Sequence, residues 1–421
     1  MPSIAFVVSN DTSPLLSALC FARALEEHGY TVTIIGNDAS AQRARRAGLR
    51  AMSYGDHEQW QFDSPEYYAR LADLCGVLED IQRKGRFDLA LVDTMITYPF
   101  ALGSLRAGLP VVRFSPNLGG PWSLAYPAIS WPGLPHRRRA IRSAQALWSW
   151  YQRMRGAVPR IRAARRASTA LGVDYDKVFR TEFAAHHARL SIFEYGPMLT
   201  GTPEVVAAPA ALELPWLEGA RDRTYIGACV DADRVDAELD WAPLGDGRPL
   251  VYCSFGTFSH EYPHARRVFS ALVEHAGSRP DRLFVIHTGR IDLGDVPTTD
   301  NVLIRSTVPQ LALLRRARVF ITHGGMASVR EACYFGVPMV VVPGWNDQYG
   351  NAARVAYHRL GITASPESLT AATFATALDE VCHPSYRQCA QHMQSRVVSE
   401  ATCAPGAVAI ARALDGRPRH A

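Results

Sequence analysis

Residues 322–332 of this chain read THGGMASVREA and continue from the short apolar run Val319–Thr322. The run predicts a buried strand, and the residues after the glycines predict the start of a helix. Gly324 and Gly325 allow backbone N–H groups to approach a ligand closely, and the positive end of a helix dipole attracts an anion. The segment therefore predicts a binding turn for a phosphate or diphosphate at the carboxyl end of a strand.

Polar side chains in the same segment extend this prediction. His323 can donate a hydrogen bond to the anion. Ser328 and Glu331 are three positions apart, so they share one face of the predicted helix. The serine hydroxyl can contact a phosphate, while the carboxylate can accept from two sugar hydroxyls, as an acidic residue does for ribose in dinucleotide folds.

A second pair of polar residues follows the next predicted strand, Met339–Val342. Asp347 and Gln348 stand beyond its carboxyl end, where open α/β sheets bind their ligands. A carboxylate and an amide side by side can bracket a vicinal diol. We therefore expect a sugar to bind next to the diphosphate.

Short apolar runs alternate with helical patterns through most of the chain, which is typical of doubly wound α/β sheets. Pro14–His28 predicts the first helix, with Pro14 in its first turn. The other predicted strands are Ile4–Ser9, Thr31–Ile35, Leu89–Val92 and Val111–Phe114 in the first half, and Leu250–Ser254, Leu283–Thr288 and Val302–Ile304 in the second.

The alternation stops in the middle of the chain, where residues 203–215 are rich in Pro and Ala and residues 231–240 are acidic and polar. This predicts an N-terminal acceptor-binding domain over 1–230 and a linker over 231–247. A nucleotide-sugar-binding domain over 248–400 follows, and a C-terminal helix within 401–421 is expected to pack back on the first domain. The two domains would face each other across a cleft.

The pattern HGGxxSxxEA, followed by GVP and then by DQxxNA, resembles the donor signature of family-1 glycosyltransferases of the GT-B fold. The bacterial macrolide and carotenoid enzymes are the most similar members. The resemblance extends upstream to Ser254–Thr257 and to Val308–Gln310, and it covers about residues 250–361. It implies two Rossmann-like domains and an inverting transfer of a sugar from a nucleotide diphosphate-sugar to a small, hydrophobic secondary metabolite, as in antibiotic biosynthesis.

The resemblance assigns roles to the donor residues. Thr257, His323, Gly325 and Ser328 would hold the diphosphate, with Gly256 and Gly324 in the same turns. Glu331 would bind the ribose, Val308 and Gln310 the edge of the base, and Asp347 and Gln348 the hydroxyls of the sugar. His323, Gly325 and the helix end would neutralise the leaving diphosphate in place of a metal ion, so neither a metal nor a cofactor is expected.

Two departures from the family pattern affect the donor. Ala327 stands where plant members have Asn, and Thr307 stands where an aromatic residue often stacks on uracil. The base is therefore open, with UDP favoured over dTDP.

Asp11 and Asp93 are the candidate catalytic residues. Many relatives have a Gly-His-x-x-Pro run after the first strand, whereas this chain has Asp11-Thr12-Ser13-Pro14, similar to glycopeptide-antibiotic and sterol glycosyltransferases. A carboxyl group with a pKa of about 3.9 is a weak base at neutral pH. A neighbouring Asp93 would raise the pKa of Asp11, and the helix dipole would lower it. Asp11 as a helix cap, and Asp93 as a strand-end hydrogen-bonding residue, remain alternatives.

Trp122, Tyr126 and Trp131 form an aromatic run that predicts an acceptor pocket in the first half. A separate acceptor pocket argues against a nucleotide-sugar epimerase, which has the same fold. The absence of the His favours a second alternative, a non-catalytic protein that binds sugar nucleotides.

The composition predicts a cytoplasmic protein. Hydrophobic residues make up 48% of the 421 positions, and the eight cysteines are scattered. No apolar run reaches the ~18–20 residues that cross a bilayer, and the start lacks the basic region of a signal peptide. A monomer or homodimer is expected.

The net charge of +5 is unevenly distributed. No carboxylate lies between Asp93 and Asp174, and residues 137–166 are rich in Arg with interleaved aromatics. This pattern fits a solvated helix face, or a contact with an anionic acceptor or a membrane surface. Nucleic acid is not expected, since no nucleic-acid module accompanies the segment. The Asp231-Ala232-Asp233 run is expected to be solvated linker, and the His186-His187 pair a helix surface.

Overall fold

The computed structural model describes residues 1–9, 12–55, 65–94, 97–119, 124, 126–170, 189–191, 198–217, 223–234, 238–241, 247–262, 264–294, 296, 299–400 and 403–415. Asp11, Trp122, His186 and His187 lie outside these ranges.

A seven-stranded parallel sheet forms the first half, in the order β3-β2-β1-β4-β5-β8-β9. Its central strands are continuous apolar runs because helices cover both faces of a parallel sheet. A short antiparallel pair, β6 and β7, lies outside it. The strands are β1 Ser3–Val7, β2 Thr31–Gly36, β3 Arg50–Ser53, β4 Leu89–Asp93, β5 Val111–Ser115, β6 Arg189–Ser191, β7 Met198–Thr200, β8 Glu204–Val206 and β9 Arg223–Tyr225. The helices are α1 Thr12–Glu27, α2 Asp38–Arg46, α3 Pro65–Gly85, α4 Thr97–Arg106 and α5 Arg139–Ala170.

A six-stranded parallel sheet forms the second half, in the order β12-β11-β10-β13-β14-β15. The two parallel sheets agree with the two Rossmann-like domains expected from the sequence. The strands are β10 Leu250–Ser254, β11 Leu283–His287, β12 Val302–Arg305, β13 Ala317–Thr322, β14 Met339–Val341 and β15 Gly361–Thr363. The helices are α6 Ala265–Gly277, α7 Gln310–Arg316, α8 Met326–Tyr334, α9 Gln348–Tyr357, α10 Ala371–Val381, α11 Pro384–Ser399 and α12 Ala404–Asp415.

The main departure from the sequence-based expectation is β8, which lies inside the Pro- and Ala-rich stretch 203–215. The stretch continues the first sheet instead of interrupting it. Its strand carries a buried Glu204, whose carboxylate lies 3.3 Å from both Arg113 of β5 and Arg223 of β9. A charged residue hides the strand from a search for apolar runs, although the ion pairs make its burial tolerable.

The two halves are joined through a buried interface. The guanidinium of Arg330 on α8 donates to the carbonyl oxygen of Ala207 and to the hydroxyl of Ser17 on α1. Nε2 of His358, after α9, lies 3.1 Å from the carbonyl oxygen of Leu212. Leu212 also belongs to a continuous apolar cluster with residues of the second sheet. The interface therefore fixes α8 and α9, the helices that begin at the predicted donor turns.

Helix α12 packs on the first half although it follows the second. Ala407 and Ile410 are buried in the same cluster as Phe21 and Ile226. A Cβ added to Gly406 would lie 2.6 Å from Phe21 and 2.7 Å from Ile226, so the helix approaches this core closely. Within the described ranges no single helix is long and apolar enough to cross a membrane. Helices α11 and α12, with a bend of 40° between them, reach the required length and apolar composition only when they are taken together.

Candidate functional site

Three neighbouring strands of the second sheet bring the predicted donor turns to one edge. Ser254 at the end of β10 pairs in register with Thr322 at the end of β13, which pairs with Val341 at the end of β14. The turns after these strands contain Gly256 with Thr257, the His-Gly-Gly run, and Asp347 with Gln348. The parallel topology therefore assembles residues that are about ninety positions apart in sequence into one site.

The turn after β13 needs its first glycine. Gly324 has a φ of +84°, and a Cβ there would lie 2.6 Å from Cγ1 of Val341. Its N–H donates to Oγ1 of Thr322 at 3.3 Å, and Nδ2 of Asn351 donates to its carbonyl oxygen at 2.9 Å. Gly325 is the N-cap of α8, and no side chain caps this helix. The geometry leaves the start of α8 open to an anion.

His323 is enclosed by two glycines. A Cβ on Gly256, whose φ is +71°, would lie 2.9 Å from Cε1 of the ring, and a Cβ on Gly325 would lie 2.4 Å from Nε2. Burial lowers the pKa of His323 to about 4, against a smaller opposing effect of the Ser254 backbone. The imidazole is thus neutral at pH 7 without a ligand. A neutral imidazole can still donate one hydrogen bond to a diphosphate.

Glu331 lies at the centre of a hydrogen-bonded network and is only 5% exposed. Its Oε2 accepts from Nε2 of Gln310, and Oε1 lies 3.1 Å from an Nη atom of Arg234. The hydroxyl of Tyr252 donates to Oε1 of Gln310 at 3.0 Å. From the sequence, Gln310 is expected to contact the edge of the base. Its amide nitrogen is directed to Glu331, the residue predicted to bind the ribose. Arg234 was missed by the sequence reasoning, because a single arginine in a polar linker carries no pattern.

Asp347 and Gln348 differ in what they offer a ligand. Burial raises the pKa of Asp347 to about 6, although hydrogen bonds from Asn351 and from backbone groups oppose this shift. Oε1 of Gln348 accepts from the N–H groups of Gly344 and Trp345 at 2.8 and 3.2 Å. The amide oxygen therefore braces the loop before α9. Asp347 can accept from a sugar hydroxyl, while the nitrogen of Gln348 can donate to one.

The remaining donor candidates surround the same edge. Ser328 on α8 is buried, with 6% of its surface exposed, and Val308 before α7 is 8% exposed. Thr257 is exposed. An exposed hydroxyl on the turn after β10 is accessible to a phosphate, whereas Ser328 faces inward one helical turn before Glu331.

Asp93 lies at the carboxyl edge of the first sheet and is almost fully buried. Its Oδ2 accepts from the hydroxyl of Ser9 at 2.6 Å and from the N–H of Ser9 at 3.2 Å. These bonds join the ends of β1 and β4, just before the run that contains Asp11. Asp11 itself lies outside the described residues.

Two of the three predicted acceptor residues line a pocket between the halves. Tyr126 and Trp131 border a pocket that is partly open to solvent, together with Gly350 and Arg354 of α9. A Cβ on Gly350 would lie 2.4 Å from the carbonyl oxygen of Ile129, so this loop rests directly on the helix that begins after Asp347. Trp122 lies outside the described residues. The pocket adjoins the turn that contains Asp347 and Gln348, the residues predicted to bind the donor sugar.

The Arg-rich segment forms α5 and the loop before it. Its solvent-facing side carries arginines and large apolar side chains together. The apolar side chains exposed by 38% to 56% are Leu134, Ile141, Leu147, Trp148, Tyr151 and Met154. The exposed arginines with described side chains include Arg137, Arg138, Arg139, Arg155, Arg162 and Arg166.

One aspartate of the Asp231-Ala232-Asp233 run forms an ion pair with the first half. Asp231 lies 2.6 Å from Arg23 of α1 in an ion pair. Over the described ranges, no group of three or more His, Cys, Asp or Glu side chains is arranged to hold a metal ion.

Comparison with known proteins identifies related sequences and folds. Residues 237–405 match the family model for UDP-glucoronosyl and UDP-glucosyl transferases. The chain is 29% identical over 401 residues to demethyllactenocin mycarosyltransferase of Streptomyces fradiae, covering 88% of this chain and 77% of that protein. It is 28% identical over 324 residues to oleandomycin glycosyltransferase of Streptomyces antibioticus, covering 74% and 65%.

Solved structures share the whole fold. The glycosyltransferase of kitacinnamycin superposes with a TM-score of 0.70 at 23% identity, covering 98% of this chain and 100% of that one. CalG4, the calicheamicin glycosyltransferase, superposes with a TM-score of 0.66 at 19% identity, with 99% of both chains covered.

Proposed function

We propose, for this family-1 glycosyltransferase of the GT-B fold, a transfer reaction between two small molecules. The chain moves a sugar from a nucleotide diphosphate-sugar to a hydroxyl of a small, hydrophobic metabolite. The observation that carries the proposal is the meeting of three turns at one sheet edge. They offer an open helix start, a carboxylate for ribose and a carboxylate-amide pair for a sugar. A hydrophobic secondary metabolite as acceptor is supported by the macrolide names of two relatives and by the aromatic pocket at Tyr126 and Trp131.

A UDP-sugar is the favoured donor, with a dTDP-sugar as the alternative. Each oxygen of the Glu331 carboxylate already accepts one hydrogen bond, from Gln310 or Arg234. A carboxylate has about four acceptor positions, so about two remain. Two positions suit the 2′ and 3′ hydroxyls of ribose, whereas deoxyribose offers only the 3′ hydroxyl.

The proposed reaction is a single displacement with inversion at the anomeric carbon. The acceptor oxygen attacks, the bond to the diphosphate breaks, and Asp11 takes the acceptor proton as general base. The start of α8 and a hydrogen bond from neutral His323 stabilise the leaving diphosphate, so no divalent ion is required. Asp93 accepts a hydrogen bond from Ser9, just before the run that contains Asp11. Its proposed role is to position Asp11 or to tune the basicity of Asp11.

The test uses the purified chain with UDP-glucose and dTDP-glucose, a panel of macrolide and polyketide alcohols, and mass detection of glycosides. Glycoside formation with inverted anomeric configuration, unchanged by EDTA, supports the proposal. Epimerised nucleotide sugar without acceptor would identify an epimerase, and tight binding without turnover would identify a binding protein. Glu331→Ala is the matched variant, and it should lose about 1.5–3 kcal/mol of nucleotide binding free energy.

We also propose that the exposed side of α5 contacts an anionic lipid surface. Charge complementarity supports a lipid of negative charge, because no carboxylate occurs between Asp93 and Asp174. Trp148 and Tyr151, with ring centroids 5.7 Å apart, are residues that favour a membrane interface. Such a contact would keep the enzyme near a hydrophobic acceptor that partitions into lipid.

A further inference from the structure

We propose that Arg234 is a positioning residue that holds Glu331 ready for the two hydroxyls of the donor ribose. This inference rests on the proposed function, since it assigns a role within the same donor site. Arg234 comes from the segment between the two sheets and reaches Glu331 across 97 positions of sequence. The nitrogen and oxygen atoms are 3.1 Å apart, and the side chains are 17% and 7% exposed.

The Glu331 carboxylate that Arg234 contacts is buried. A buried carboxylate needs a cation or strong hydrogen bonds, because burial otherwise favours its neutral form. Arg330, the neighbour of Glu331 in sequence, is directed away to Ala207 and Ser17. Arg234 supplies the cation, and Gln310 supplies a neutral donor to the other oxygen. Each oxygen of the buried carboxylate therefore has a hydrogen-bond donor, and one of the two donors is a cation.

Arg234 and Gln310 together also fix the orientation of the Glu331 carboxylate. Gln310 and Arg234 each bind a different oxygen of Glu331, which fixes the plane of the carboxylate. A carboxylate held at both oxygens presents its remaining acceptor positions in fixed directions. Loss of Arg234 would free one oxygen, so the carboxylate would have to be ordered again when ribose binds.

Arg234 is itself held through the residues just before it in sequence. Asp231, three residues earlier, forms an ion pair of 2.6 Å with Arg23 of α1 in the first half. The carbonyl oxygen of Ala232 accepts from Arg315 of α7 in the second half. The segment is therefore tied to both halves immediately before Arg234. Both contacts are partly or largely exposed, so they contribute little to the free energy of folding. Their main effect is on the position of the segment that carries Arg234.

The test measures the dissociation constants of UDP and 2′-deoxy-UDP by calorimetry with the full chain. Arg234→Ala should weaken UDP binding about 10- to 100-fold. It should weaken 2′-deoxy-UDP binding less, so the preference for ribose should narrow. Turnover, once an acceptor is known, should show a higher donor KM with little change in kcat. Arg234→Lys should recover part of the affinity, because it restores the cation without the planar fork.

Two further variants separate a positioning role of Arg234 from a general loss of structure. Arg316→Ala removes an arginine of α7 that stacks on Trp241, at 4.3 Å from the ring centroid, and should leave UDP binding close to wild type. In a Glu331→Gln background, Arg234→Ala should have little additional effect, because both changes act through one carboxylate. If Arg234→Ala does not fold, Arg234→Gln keeps a hydrogen-bond donor without the charge and takes its place.

The outcomes distinguish this inference from the proposed function. Wild-type protein that binds neither UDP nor dTDP overturns both. Wild-type binding of UDP with an unchanged constant in Arg234→Ala overturns the role of Arg234 alone. Tighter binding in that variant would mean that Arg234 blocks the ribose site, and additive losses with Glu331→Gln would mean that it acts elsewhere; either result also overturns the inference.

Discussion

Nε of Arg354 on α9 lies 2.9 Å from Oε1 of Glu213, and the two side chains are only 6% and 2% exposed. The hydroxyl of Tyr225 donates to the other carboxylate oxygen at 3.3 Å. This ion pair connects the end of the first half to the helix that begins after Asp347. It also borders the proposed acceptor pocket, so the same bond bears on stability and on the relative position of the proposed acceptor and donor residues.

Removing one partner of this pair should be strongly destabilising. Glu213→Ala leaves the Arg354 guanidinium buried without its carboxylate, and we expect a loss of about 3–5 kcal/mol in the free energy of unfolding. Urea denaturation measures it. Asp80→Ala, which removes the exposed pair with Lys84, is the matched control and should change the value by less than about 1 kcal/mol. A Glu213→Leu/Arg354→Met double variant should recover much of the loss; equal destabilisation in all three variants would contradict this account.

The raised pKa of Asp347 predicts a pH dependence of donor-sugar binding. With a pKa of about 6, the carboxylate is ionised at pH 7.5 and largely protonated at pH 5. Protonation removes the acceptor for a sugar hydroxyl, so the dissociation constant of UDP-glucose should rise about tenfold over this range. UDP lacks the sugar and serves as the control ligand. Its dissociation constant should not show the part of the pH dependence that comes from Asp347. Asp347→Asn should flatten the difference between the two ligands, and parallel pH profiles in the wild type would refute the assignment.

His323 predicts a loss of stability in mild acid. Its pKa is about 4 in the folded protein because burial disfavours the cation, and about 6.5 in an unfolded chain. Below pH 6.5 the unfolded chain therefore binds a proton that the folded protein does not bind. The free energy of unfolding should decrease from pH 6.5 to pH 4 through this group, and should not depend on it above pH 6.5.

Urea denaturation of His323→Gln at pH 7.5 and pH 5 isolates this contribution. The variant should lose less stability than the wild type between the two values, because it has no imidazole to protonate. His392→Gln changes an exposed histidine on α11 and is the matched control. An identical pH response of wild type and His323→Gln would contradict an imidazole that stays neutral in the folded protein.

The sequence predicted how the turns with the proposed donor residues are arranged, because local pattern and topology agree there. A strand, two glycines and a helix with Glu331 on one face leave few possible arrangements, and Leu250–Ser254 has the same bounds in the structure. It could not predict the protonation of His323 or Asp347, since their pKa values depend on burial. Arg234 was also beyond reach, because its partner is distant in sequence. For β8, a buried Glu204 concealed a strand that ion pairs stabilise.

The exposed side of α5 predicts salt-sensitive binding to anionic vesicles. We expect the chain to sediment with phosphatidylglycerol vesicles at low salt, and much less with phosphatidylcholine vesicles or at high salt. Trp148→Ala/Tyr151→Ala should weaken binding by removing apolar contacts. Replacing Arg138, Arg139 and Arg155 by Gln should weaken it electrostatically. The same charge change at Arg43, Arg45 and Arg46 of α2 is the control, and equal loss there would indicate only a response to net charge.

The last prediction concerns Asp11, the proposed general base. Asp11→Asn keeps the shape of the side chain but removes its basicity, and loss of a general base typically lowers the rate about 10²- to 10⁴-fold. Nucleotide affinity should hardly change, because the donor residues all belong to the second half of the chain. Asp93→Asn should have a milder effect on rate, since the Ser9 hydroxyl can still bond the remaining amide oxygen. Asp11→His is the sharper variant: it creates the residue that many relatives have at this position, and it should retain activity that Asp11→Asn lacks. Steady-state rates with saturating donor, together with UDP affinity by calorimetry, separate chemistry from binding. An Asp11→Asn enzyme with a near wild-type rate would exclude Asp11 as the base, and reduced nucleotide affinity in that variant would point to a structural effect instead.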